Sequence, residues 1–202
     1  YGRKSPASRV KFMLLAAIIA VSLLLVTAFA AMNYLGMQEI TQDTPYEVPS
    51  EASPYIETQS AQATTTEDWS CTMLESLFDS ASFTISVGIS GGDKYVVVPE
   101  YCSAGDDVSE IGLPRGQTLG DYAAQQGKTL LYVGAGIQDR DKLGIATTAQ
   151  FYKSQSDSEM TIVETGQKST DVSVTEGICR VSAWVDGQKD VTRVELPFTV
   201  KE

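Results

Sequence analysis

Residues 12–32 form an apolar run of 21 residues in which only Ser22 and Thr27 are polar and none is charged. At about 1.5 Å rise per residue such a helix is roughly 31 Å long, close to the roughly 30 Å hydrocarbon core of a bilayer. It is apolar on every face, so it suits lipid rather than the surface of a globular core. The run predicts a transmembrane helix over 12–35, with Asn33-Tyr34 at the far interface. Ala28-Phe29-Ala30 has the small-x-small spacing of a signal-peptidase site. Export signals, however, carry apolar regions of about 7–15 residues, so a retained anchor is expected rather than a cleaved leader.

Charge sets the orientation. Arg3, Lys4, Arg9 and Lys11 precede the run, and no Lys or Arg follows it until Lys94. Basic flanks stay in the cytoplasm, which makes 1–11 a cytoplasmic segment and places the remainder outside. The chain carries 26 acids and 15 bases, net −11, and every acid lies beyond position 38. Four of the bases precede the run, so the outer part has 26 acids against 11 bases. Such a surface repels phosphate backbones and excludes nucleic acid as a partner. Histidine is absent, which removes the commonest general base and metal ligand. Cys71, Cys102 and Cys179 can form at most one intramolecular disulfide, and their spacing fits no zinc pattern.

Residues 36–66 are acidic and rich in Ser, Thr and Pro, and they predict a flexible tether. Residues 67–202 form the expected extracytoplasmic domain. Thr65-Thr66-Glu67-Asp68 has a helix-start spacing, and Trp69, Met73, Leu74, Leu77 and Phe78 recur with helical period, so a helix is expected over 66–79. The period then changes to two. Phe83, Ile85, Val87 and Ile89 alternate with small or polar residues, as in a half-buried strand. After Gly91-Gly92-Asp93, residues 94–102 read as its hairpin partner. Thr118 opens and Gly127 closes a short helix. Strands are expected at 129–136, 145–153, 159–165 and 171–175. A final hairpin carries Cys179, Val181, Ala183 and Val185 on one face, turns at Asp186-Gly187, and returns through Val194, Leu196, Phe198 and Val200. The fold class expected is mainly β: an antiparallel sandwich with one or two short helices, plus the N-terminal transmembrane helix.

Residues 175–187 (TEGICRVSAWVDG) resemble the penultimate strand of immunoglobulin-like modules of prokaryotic surface proteins. Gly177, Val181, Ala183 and Asp186-Gly187 match, while Cys179 stands where that family usually has Tyr. The resemblance covers roughly 145–202. It implies an immunoglobulin-like sandwich and a role in adhesion, spacing or assembly.

Motifs for chemistry do not hold together. Gly134-Ala135-Gly136 follows a strand as a dinucleotide loop would, but Asp139 occupies the third glycine position, and a strand bulge with a charged turn is the simpler reading. Asp139, Asp141 and Gly144 copy positions 1, 3 and 6 of a calcium loop, whereas Leu143 and Gln150 break it, leaving Asp139 and Asp141 as weak calcium candidates. Glu100 with Asp106-Asp107 is a candidate carboxylate pair. No catalytic residue, cofactor or firm metal site emerges. Ala16, Ala20, Thr27 and Ala31 put small residues on one face of the apolar helix and allow a helix partner to approach closely. Trp184, outward by parity, is a further interaction candidate, and Tyr101 beside Glu100 is another.

The expectation is therefore a non-enzymatic, membrane-anchored module. It would contact lipid through 12–35 and other protein subunits as a structural or accessory member of an assembly. The alternatives are a ligand- or polysaccharide-binding head, including a carboxylate-based hydrolase, and a pilin-like filament subunit.

Overall fold

A computed structural model describes residues 36–59, 61–65, 68–169 and 173–200. The expected cytoplasmic segment, the expected membrane span and its small-residue face (Ala16, Ala20, Thr27, Ala31) lie outside these residues. Among the described residues no helix is long and apolar enough to cross a membrane.

The fold is mainly β, built as two sheets with few helices. The first sheet places β1 (Glu57–Thr58) and β2 (Gln62–Thr64) along β3 (Ser70–Phe78), followed by β4 (Ser82–Ser90), β8 (Glu159–Lys168) and β7 (Ile145–Ser154), all antiparallel. The second has the order β10 (Thr192–Thr199), β9 (Glu176–Val185), β6 (Thr129–Ile137), β5 (Tyr95–Pro99). One main core fills the space between them, with Phe83, Ile85, Val87 and Ile89 of β4 among Val133, Cys179, Val181 and Phe198.

The final hairpin forms as its alternation predicts: Cys179, Val181 and Ala183 are fully buried, and Val181 pairs with Val194 across the hairpin. The short helix also forms, as α2 (Leu119–Gln125). Thr118 caps it by accepting from Asp121 N at 3.1 Å, and Gly127 follows with φ +67°. A further single turn, α3 (Arg140–Leu143), links β6 to β7.

Five expectations are corrected. The segment expected as a helix over 66–79 is strand β3. Its helical-looking spacing arises because a bulge between Met73 and Glu75 inserts Leu74 and reverses the parity. Cys71 and Met73 face the main core before the bulge, and Leu77 packs on the opposite side after it. Strand β4 is buried on both faces rather than half-buried, since Thr84 and Ser86 are buried as well. Residues 95–99 do not pair with β4. They enter the second sheet and run parallel to β6, so that sheet is not wholly antiparallel; the crossover carries α2, as parallel pairing requires. No strand forms at 173–175, and 171–172 lie outside the described residues.

The fifth correction concerns the tether. Its described residues are packed. Strands β1 and β2 supply the edge of the first sheet, and α1 (Met37–Thr41) with a 3-10 turn (Ser50–Tyr55) lies on that sheet's outer face. Met37, Val48 and Val163 form a second small core with Ile40, Leu77 and Phe151 around it. Glu75 accepts Met37 N at 2.7 Å where α1 starts, and Thr41 Oγ1 accepts Val48 N at 3.0 Å. Polar composition concealed a few large apolar residues with a complementary face to bury against.

Candidate functional site

The main polar site is a corner where the two sheets meet. Strand β5 pairs with β6 only as far as Val133, so beyond it the β5-side edge of β6 has no strand neighbour. Three groups complete that edge. Glu100 N donates to Val133 O at 2.9 Å, Gln150 Nε2 donates to Ala135 O at 2.8 Å, and Ile137 N donates to Glu164 Oε2 at 3.0 Å. Side chains of the first sheet thus satisfy backbone groups of the second that would otherwise be buried without partners.

Glu164 is the centre of this corner. It lies on the core-facing parity of β8, paired with Ile85, and is 1% exposed. Its Oε1 accepts from Thr147 Oγ1 and pairs with Arg140 Nη2 at 2.7 Å. Burial pushes its carboxyl above the ordinary carboxylate value, and Thr147, Arg140 and Ile137 N pull in the opposite direction. Arg140 is placed by the single turn α3, which begins after Asp139 in the left-handed region (φ +54°) and closes at Gly144 (φ +60°).

Gly134 and Gly136 lie in an unbroken β6 that shows no bulge, which corrects the bulge reading. Their lack of a side chain has a packing reason. A Cβ at Gly134 would collide with the Glu100 carboxylate, and one at Gly136 would come within 2.5 Å of Arg140 Nη2. Ser182 is the cross-strand partner of Gly134, and Arg180 that of Gly136. These residues line an open cleft of about 570 Å³, joined by Thr147 and Gln150 from β7.

Two hollows lie away from this corner. One of about 840 Å³ runs between residues 57–61 and the β9–β10 pair, with Gly177 and Phe198 in its wall. There the Gln59 side chain donates to Thr199 O at 2.9 Å and accepts Thr199 N at 3.2 Å, which holds the edge of β10 to the first sheet. The other, about 570 Å³, lies beneath the 36–59 layer beside Tyr46, Val48, Pro49 and Tyr55.

The sequence candidates fall mostly elsewhere. Asp139 pairs with Lys142 at 3.1 Å, and no cluster of three or more metal-ligating side chains occurs among the described residues. Asp106 accepts Ser103 N at 2.7 Å and Asp107 accepts Ser109 N at 2.9 Å, so both carboxylates cap turns, apart from any pairing with Glu100. Trp184 does face outward, but half-buried, stacked on Tyr132 with ring centroids 5.4 Å apart and planes at 16°. Tyr101 is 63% exposed and meets Tyr152 edge-on at 5.4 Å. Cys71, Cys102 and Cys179 are all free and buried, so no disulfide joins them; burial raises the Cys71 thiol to about 12 and the Cys102 thiol to about 11.

Sequence reasoning missed Glu164, Arg140 and Gln150 as a group. The signal was present in β8: Met160, Ile162 and Glu164 share one parity, so an acid occupies a core position of an alternating strand. Compared with known proteins, the chain matches no family model, no curated sequence and no solved structure.

Proposed function

We propose that this chain is a non-enzymatic module, held outside a membrane by residues 12–35, that serves as a structural or accessory subunit of a surface or membrane assembly. The observation that carries the reading is the state of the corner. Its one fully buried carboxylate, Glu164, is engaged by a guanidinium, a hydroxyl and a backbone N–H, as a group that joins two sheets would be. The charged groups that do face the cleft are fixed just past the end of β5 (Glu100), within β9 (Arg180) and on a tight turn (Arg140), an arrangement suited to recognition rather than bond cleavage. Met37 is packed in the head, so the described residues of the expected tether do not act as a long spacer.

The immunoglobulin-like relationship belongs to this proposal. It rests on the β9–β10 hairpin and its packing against the first sheet; the parallel β5–β6 pair lies outside it. A second reading, a polysaccharide-binding head, draws on the exposed Tyr101 ring beside Glu100. A carboxylate-based hydrolase fits less well, because Glu164 is engaged and Asp106 and Asp107 hold turns.

The test is purification from the native membrane after mild solubilisation. The chain should migrate with other subunits, and replacing Ala16 and Ala20 together by Leu should release it. Recovery as a lone water-soluble species would refute the proposal. A thermal upshift with glycans, lost in Tyr101→Ala, would favour the second reading.

A further inference from the structure

We infer that the cleft over Gly134 and Gly136 binds a small zwitterion, a free amino acid or dipeptide whose ammonium meets Glu100 and whose carboxylate meets Arg140 and Arg180. This site stands whether or not the chain belongs to a larger assembly.

The argument begins with register. Gly134 and Gly136 are two residues apart on the outer face of β6, so the side chains over them are separated by roughly 6.6 Å along the strand. An acid, Glu100, covers the first position, and a base, Arg140, covers the second. Ser182 flanks the acidic end and Arg180 the basic end, each as the cross-strand partner of its glycine. The glycines' missing side chains let the Glu100 carboxylate and the Arg140 guanidinium lie close against the strand.

The charges are not neutralised by one another. Arg140 pairs with Glu164, and Arg180 with Glu195 at 3.0 Å, each through a single Nη2. A guanidinium has five N–H donors in a planar fork, so both keep donors for a carboxylate. Glu100 forms no ion pair among the described residues, although it and both arginines line the same cleft. An unpaired acid and two incompletely engaged bases facing one space are complementary to a ligand carrying the opposite charges in the opposite order.

The surroundings sharpen the ligand class. The walls are Thr147, Thr148, Gln150 and Ser182, so a mostly apolar molecule gains little there. The volume of about 570 Å³ falls within the roughly 300–1,000 Å³ of small-molecule clefts. The basic end continues into a neighbouring hollow reached by Lys142, although Asp139 pairs with that lysine and Asp141 also lines it. The guanidinium donors that Arg140 and Arg180 keep beyond their single Nη2 contacts mark a place for a carboxylate, and Glu100 adds the requirement for an ammonium.

The test is isothermal titration of the intact chain in detergent micelles with L-alanyl-L-alanine. Saturable binding is expected, weakened about three- to tenfold by N-acetylation and by C-terminal amidation, each of which removes one charge. Glu100→Gln should abolish discrimination against the acetylated form. Arg180→Gln should abolish discrimination against the amide; Arg180 lies outside the Glu164 cluster, so folding is preserved. Absence of saturable binding into the millimolar range, equal binding of the blocked and unblocked forms, binding indifferent to both substitutions, or equally tight binding of the neutral disaccharide maltose would each overturn the inference.

Discussion

Replacing Glu164 tests the account of how the two sheets are joined. Glu164→Ala removes the acceptor of Ile137 N and the partners of Arg140 and Thr147. An orphaned buried N–H costs about 1–3 kcal/mol. Breaking a fully buried ion pair costs about 3–5 kcal/mol. Arg140, however, is 39% exposed, so water can take up part of its charge, and removing a desolvated carboxylate returns some of the loss. The net expectation is a destabilisation of about 2–4 kcal/mol, or a Tm lowered by roughly 5–15 °C for a chain of this size. Urea unfolding of the intact chain in detergent measures it. A pH series with the isosteric Glu164→Gln adds a sign. Because burial raises the folded carboxyl above its ordinary value of 4.5, its contribution is fully present below that value and is lost as pH rises through the folded value. Relative to Glu164→Gln, the wild type should therefore gain stability on acidification. An alanine variant within about 0.5 kcal/mol of wild type would refute the joining role. A wild-type advantage that grows toward neutral pH would show instead that the Arg140 pair outweighs burial.

Three further outcomes follow from packing. Met37→Ala should cost about 2–5 kcal/mol in the same unfolding assay if 36–59 is a packed layer, and nothing measurable if it is a loose tether. Gly166→Ala should destabilise strongly, by about 1–3 kcal/mol, because its Cβ would strike the Ala146 carbonyl and the Phe83 ring, whereas the Glu100 side chain can swing away from Gly134→Ala at small cost. The three buried thiols should resist a maleimide at neutral pH in the native chain and all react after unfolding without reductant, as mass spectrometry would show; a mass two hydrogens lighter before reduction would reveal a disulfide.

What the sequence determined by itself was whatever depends on a residue and its near neighbours. Alternation fixes which side chains of β9 and β10 share a face, and Asp186-Gly187 turns the chain between them, so the last hairpin is legible without any partner in view. The caps of α2 at Thr118 and Gly127 are local in the same way. Only the tertiary structure decided which edges meet. Residues 95–99 are the same continuous apolar run whether they join β4 or β6, and parallel pairing with β6 follows from where the α2 crossover returns the chain. The bulge in β3 hides a strand inside a helical spacing because both of its faces are buried, a fact that depends on a layer formed by residues 36–56. Glu164 was visible as an acid on a core parity, but its partners Ile137 and Thr147 stand 27 and 17 residues away in sequence. A buried charge is tolerated only where distant groups converge on it, and convergence is a property of the fold, not of any window of the chain.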